Sequence, residues 1–205
     1  MIRRPSRQLH RLNSRLDIEA FILIGGRSRR FGADKAFFEF EGMPLAARAV
    51  AIVEAVFPGT RASFVAASKE QFGPRIDSLE RSVIIDRRKG FGAWSGLDAA
   101  LTHSESEWTL VLACDLPFVT SSLLKELAHE CSAEIDAAVP QQTDGRMQPL
   151  CAFYRTAAAR AVVEKMLDEG STLPPLTSLF DGLRTKVVAV ESDELRNVNT
   201  PDDLR

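Results

Sequence analysis

Apolar residues run without alternation from Ala20 to Ile24 and from Leu110 to Cys114, the pattern of strands covered on both faces of a parallel sheet. Read coarsely, the hydrophobic periods place strands near residues 19–25, 61–67, 82–86, 108–114, 136–140, 149–155 and 185–190. Helical patterns separate most of them, over residues 44–57, 94–103, 121–131 and 156–169. Pro44 suits the first turn of its helix, and Gly170 is placed to end the last helix in a left-handed cap. This alternation predicts a layered α/β domain with a largely parallel sheet. The rhythm breaks between Pro140 and Pro149, at Gln141-Gln142-Thr143-Asp144-Gly145. Composition there favours a surface loop over an excursion covering a substrate site.

A chain of 205 residues suits one domain with a substantial core. With 45% hydrophobic and 26% charged residues and a formal net charge of -2, it offers no basic face for nucleic acid. No apolar run approaches the ~20 residues that cross a bilayer. The charge is unevenly placed: Arg3, Arg4, Arg7, Arg11 and Arg15 outnumber Asp17, so residues 1–17 carry +4 and the remainder -6. We expect a basic, disordered N-terminal extension over residues 1–17 and a single domain over 18–205. A transit-like extension and an anion-binding arm are the sharper readings of that segment. It lacks the apolar core of a secretory signal, so the expected compartment is the cytoplasm. Cys114, Cys131 and Cys151 lack the spacings of a disulfide framework or zinc site, and Cys114 reads as a small buried filler.

The chemistry concentrates where the predicted strands end. After Leu23-Ile24 come Gly25 and Gly26, then Arg27, Arg29, Arg30 and Lys35. The glycines let the backbone turn and bring amide N–H groups to anionic oxygens, and Arg30 and Lys35 add full charges. The spacing matches neither the P-loop nor the Gly-x-Gly-x-x-Gly of dinucleotide folds. The second strand-end group is Asp115, in Cys114-Asp115-Leu116-Pro117-Phe118, where open α/β sheets bind ligands. Facing a polyphosphate loop, its simplest use is to hold Mg²⁺, with capping of the following helix the competing role. Asp86 ends a third strand before Gly90-Phe91-Gly92-Ala93-Trp94-Ser95-Gly96, which opens a helix whose N-terminus suits a phosphate or a polar base edge. Near the C-terminus, Asn197 and Asn199 precede a helix start built from Thr200, Pro201 and Asp203. Together these features describe nucleotidyl transfer, in which the attacking group belongs to the second substrate and positioning and electrostatics do most of the catalysis.

In that order, Leu23-Ile24-Gly25-Gly26 with Ser28, Arg30, Gly32 and Asp34-Lys35, then Gly42-Met43-Pro44-Leu45, Asp86, Cys114 to Phe118, Gln148-Pro149-Leu150 and Asn197 to Pro201 resemble the molybdenum cofactor guanylyltransferases. The resemblance runs from about residue 19 to the C-terminus. It implies a three-layer α/β/α, Rossmann-like nucleotidyltransferase fold, GTP and molybdopterin as substrates, and Mg²⁺ as cofactor. It implies a GTP site including Leu23, Ile24, Gly25 and Lys35, an Asp86 contact to guanosine, and Asp115 on both nucleotide and metal. Asn197 and Asn199 would lie toward the pterin, and molybdoenzymes or other cofactor-biosynthesis proteins are the implied protein partners. The chain departs from the family pattern at Ile24 for alanine and Phe31 for methionine. It also departs at Ser68, where many members place a nucleotide-contacting asparagine, and at Trp94, whose ring is expected to narrow, reshape or stack within the base pocket. The competing readings are cytidylyl transfer to the same pterin, nucleotidyl transfer to a sugar phosphate, and a non-catalytic nucleotide- or pterin-binding member.

Overall fold

The computed structural model describes residues 16–25, 35–68, 72, 81–170, 172–200 and 203. Gly26, Arg30 and the basic segment up to residue 15 lie outside the described residues. Asp17, at the end of that segment, is held by the turn before a later strand: its carboxylate accepts from Ser106 Oγ at 2.8 Å and Glu107 N at 3.0 Å.

The main sheet has seven strands, β1 (Ile18–Leu23), β4 (Ala62–Ala66), β5 (Val83–Ile85), β6 (Trp108–Ala113), β7 (Ala137–Gln142), β8 (Cys151–Arg155) and β9 (Thr185–Val190). Their order is β5-β4-β1-β6-β8-β7-β9. All neighbours pair in parallel except at β8, which is antiparallel to both β6 and β7. A two-stranded hairpin, β2 (Glu39–Phe40) and β3 (Met43–Pro44), precedes α1 (Leu45–Val56). Its turn has positive φ at both Glu41 (51°) and Gly42 (77°), the handedness that matches the twist of paired strands. Pro44 precedes the helix as its cap, one residue earlier than the pattern placed it.

The unalternating runs have the cause expected of them. Ile22, Phe64, Leu110 and Leu112 pack with Val53 of α1 and with Leu123, Leu124 and Leu127 of α3 (Ser121–Glu130) on one face. Phe21, Leu23, Val65 and Val111 pack on the other with Leu97 and Leu101 of α2 (Ala93–His103) and Val163 and Leu167 of α4 (Thr156–Glu169). Each such buried side chain stabilises the fold by about 1.5–3 kcal/mol. The result is three layers, α/β/α. Cys114 is buried within the first of these clusters, and Cys131 and Cys151 are free thiols.

Two local expectations need correction. Gly170 is not left-handed, with φ -100°; glycine fits because a Cβ there would stand 2.9 Å from Met166 O and 3.0 Å from Leu173 Cδ2. Strand β7 also continues past Pro140 to Gln142, because β9 supplies a parallel partner as far as Gln142 opposite Val190. The turn-rich stretch is therefore shorter than the sequence suggested, and closes through Gln142 N–H to Arg146 O at 2.9 Å.

Candidate functional site

The chain passes from β1 outward to β4 and β5, then returns to place β6 on the other side of β1. The C-terminal ends of β1 and β6 thus flank a topological switch point, where open α/β sheets leave a crevice for ligands. Leu23, Ile24 and Gly25 lie there. Leu23 O accepts from Cys114 N at 3.1 Å, while Ile24 N and Gly25 N both donate to Val65 O, at 2.9 and 3.2 Å. Gly25 is exposed, and a Cβ on it would sit 3.0 Å from Ala67 N. The missing side chain is therefore required by the crossing of two backbones as well as being suited to a ligand.

Lys35 and Asp115 meet across this crevice. Lys35 Nζ donates to Asp115 Oδ2 at 2.9 Å and to Asn199 Oδ1 at 3.3 Å. The lysine side chain is largely buried at 12% exposure and the carboxylate is 31% exposed. The C-terminal segment is brought in by its backbone, since Val198 N–H donates to Asp115 O at 2.9 Å and the Val198 side chain is fully buried. The Arg196 guanidinium adds a second tie, 4.3 Å from the centre of the Phe118 ring. Asp203 Oδ2 accepts from Asn199 N at 2.7 Å and Thr200 N at 2.8 Å; these backbone donors, Asn199 first, hold its carboxyl below the usual range. Asn199 is positioned in this way beside Lys35, whereas Asn197 is exposed two residues earlier.

Asp86 stands apart from that cluster. It follows β5, two strands from β1, with its N–H donating to Ala66 O at 3.0 Å. At ~4.8 Å per strand the separation from the end of β1 is ~10 Å. Its Oδ1 is buried without a hydrogen-bond partner among the described residues. Burial, then the nearby Asp98 charge, push its carboxyl up to about 6, against the opposing pull of Lys89. Ser68, half-buried beyond the end of β4, lies on the same edge between Asp86 and the crevice.

Trp94 does not face this edge. Its ring is 4% exposed in the core between α2 and α4, and Nε1–H donates to Pro174 O at 3.0 Å. The expected effect on a base pocket is therefore replaced by a packing role. Helical phase explains this, because Trp94, Leu97 and Leu101 share one face of α2. What comes close to the end of β1 is Gly96, where a Cβ would meet Leu23 Cδ2 at 3.1 Å. Sequence reasoning also missed Asp98, Arg87 and Arg88, which form an ion-pair network beneath Asp86. A single acidic residue within the apolar stretch of α2 was the available signal.

Among the described residues no three His, Cys, Asp or Glu side chains converge on a point, and none of their helices is long and apolar enough to cross a membrane. Asp115, 31% exposed at the crevice, offers a single carboxylate, the number that suffices for a hard cation completing its shell with water and phosphate oxygens.

Solved structures with the same architecture include molybdopterin-guanine dinucleotide biosynthesis protein A from Archaeoglobus fulgidus, 27% identical, with a TM-score of 0.69 over 91% of this chain and 94% of that one. They also include 4-diphosphocytidyl-2C-methyl-D-erythritol synthase from Anaerococcus prevotii, 16% identical, with a TM-score of 0.72 and 95% of each chain covered. The fold is that of the nucleotidyltransferases. Residues 20–185 match the family described as the MobA-like NTP transferase domain, and the chain belongs to that family. A relative from Geobacillus sp. (strain WCH70), named probable molybdenum cofactor guanylyltransferase, is 30% identical over 193 residues, covering 89% of this chain and 94% of the relative.

Proposed function

We propose that the protein transfers GMP from GTP to the phosphate of molybdopterin, forming the guanine dinucleotide form of the molybdenum cofactor and releasing pyrophosphate. The observation that carries this reading is the meeting of Lys35, Asp115 and Asn199 at the β1/β6 crevice, in a family whose relatives bear that name. The triphosphate would lie over Gly25, Gly26 and the end of β1. The nucleoside would extend across Ser68 toward Asp86, and the ~10 Å between the crevice and Asp86 suits that span. The unpartnered Oδ1 of Asp86 is an acceptor for the N–H or O–H groups of guanosine.

An oxygen of the pterin phosphate attacks the α-phosphorus, and the bond from that phosphorus to the α,β-bridging oxygen breaks. The bridging oxygen leaves on pyrophosphate with the bonding electron pair. Lys35, with Arg30, which lies outside the described residues, stabilises the charge that moves onto pyrophosphate. Asp115 would hold Mg²⁺, which when bound supplies neutralisation of the α-phosphate charge. Asn199, and Asn197 beside it, face the acceptor side and orient the pterin phosphate for in-line attack. Pyrophosphate release measured with GTP, CTP, ATP and UTP in the presence of molybdopterin and Mg²⁺ tests the reading. Preference for GTP supports it, and preference for CTP overturns the guanine assignment.

A further inference from the structure

Asp98 is a buried carboxylate that the proposed chemistry does not use. It is 1% exposed, in the middle of the stretch of α2 that packs on the sheet. A charge at such a place is tolerated only with close partners. Those partners come from the two residues that follow Asp86. Arg87 Nη2 donates to both carboxylate oxygens of Asp98, at 3.3 and 3.4 Å, and to Thr102 Oγ1 at 2.9 Å. Arg88 Nε lies 3.9 Å from Asp98 Oδ2, and its Nη1 donates to Asp168 Oδ1 at 2.5 Å. The same loop is fastened again by Ser95, whose Oγ donates to Arg88 O and accepts from Phe91 N at 3.2 Å. Gly90 and Gly92, with φ of 100° and 61°, then turn the chain back into α2.

We propose that Asp98 is a positioning residue for the nucleoside half of the site. Its buried carboxylate anchors Arg87 and Arg88 to α2 and so fixes Asp86 and the segment behind it over the sheet edge. The proposal rests on the nucleotide reading of that edge. Asp86 needs such support because it follows a three-residue strand that, among the described residues, lies at the edge of the sheet and pairs with β4 alone. Strand ends with few neighbours open readily, whereas recognition requires groups held to about 0.5 Å. The charge of Asp98 also acts on the carboxyl of Asp86, which places the two groups within electrostatic reach.

The test compares the full-length protein with Asp98→Asn and Arg88→Ala, measuring thermal stability and dissociation constants for GTP and for inorganic tripolyphosphate. Tripolyphosphate probes the phosphate half alone. A role in folding alone would lower stability and leave the affinities of the folded protein unchanged. We expect GTP affinity to fall about tenfold while tripolyphosphate affinity stays within about twofold of wild type. Arg88→Ala tests the same anchor from the arginine side where Asp98→Asn fails to fold. Unchanged GTP affinity in the folded variants overturns the proposal and leaves the nucleotide reading standing, as does an equal loss for both ligands. Failure of the wild type to bind GTP overturns the nucleotide reading, and this proposal with it.

Discussion

Lys35 Nζ stands 2.9 Å from Asp115 Oδ2, joining residues 80 apart in the chain across the ends of β1 and β6. An ammonium and a carboxylate held this way bring both signs of charge to one point, as transfer of an anionic group between anionic oxygens requires. Removing either should slow turnover far more than it disturbs folding. Lys35→Ala and Asp115→Ala are each expected to lower kcat by about 10²–10³, with circular dichroism unchanged. A Lys35→Ala enzyme with wild-type kcat would remove the lysine from the reaction.

Asp86 predicts a pH dependence whose sign is set by its raised pKa. A carboxyl moved from 3.8 up to about 6 is penalised when ionised in the folded protein. Its contribution therefore favours the fold at low pH, declines as pH rises from about 4, and is flat above about 6. Binding runs the other way, because accepting hydrogen bonds from guanosine needs the ionised form. GTP affinity should weaken below pH 6, by at most about tenfold per unit from this group. Phosphate also titrates near that pH, so Asp86→Asn is the control. The difference between the two profiles should vanish above pH 7, apart from a constant offset.

At Gly25, an added methyl would stand 3.0 Å from Ala67 N, a backbone atom that cannot rotate away. Gly25→Ala should cost about 1–3 kcal/mol, seen as a Tm lower by roughly 2–4 °C per kcal/mol. A neutral substitution would show that the strand ends separate easily.

Trp94 separates packing from recognition. Trp94→Phe keeps most of the buried ring and loses the hydrogen bond to Pro174 O, for about 1 kcal/mol; Trp94→Ala should cost about 3–5 kcal/mol. Chemical denaturation measures both. The GTP dissociation constant of folded Trp94→Phe should match wild type, and a changed base preference would return Trp94 to the pocket.

The central strands were legible because burial on both faces leaves runs such as Ala20 to Ile24 with no polar residue. Asp115 was legible because its charge follows such a run directly, and Lys35 because it closes the glycine- and arginine-rich segment that follows the other. The β2–β3 hairpin was not, since Glu41 is an uncommon choice for positive φ. Asp98 was not legible, because the arginines that pair with it, Arg87 and Arg88, lie outside its helix and meet it only through the fold. Trp94 was misplaced because its loop position was weighed above its helical phase, although its spacing to Leu97 and Leu101 already pointed inward. The asparagines were found through their motif, but the Val198 bond to Asp115 and the Arg196 contact with Phe118, which bring a segment from the far end of the chain to the crevice, had no sequence signal.

The central claim is transfer of GMP to molybdopterin. Its most direct test is mass spectrometry of the pterin after incubation of the protein with molybdopterin, Mg²⁺ and GTP labelled with ¹⁸O at the α-phosphate. The account predicts a pterin product heavier by one labelled GMP, formed in step with pyrophosphate and absent with Asp115→Ala. Unmodified pterin, or a product carrying CMP when CTP is supplied in competition, would contradict it.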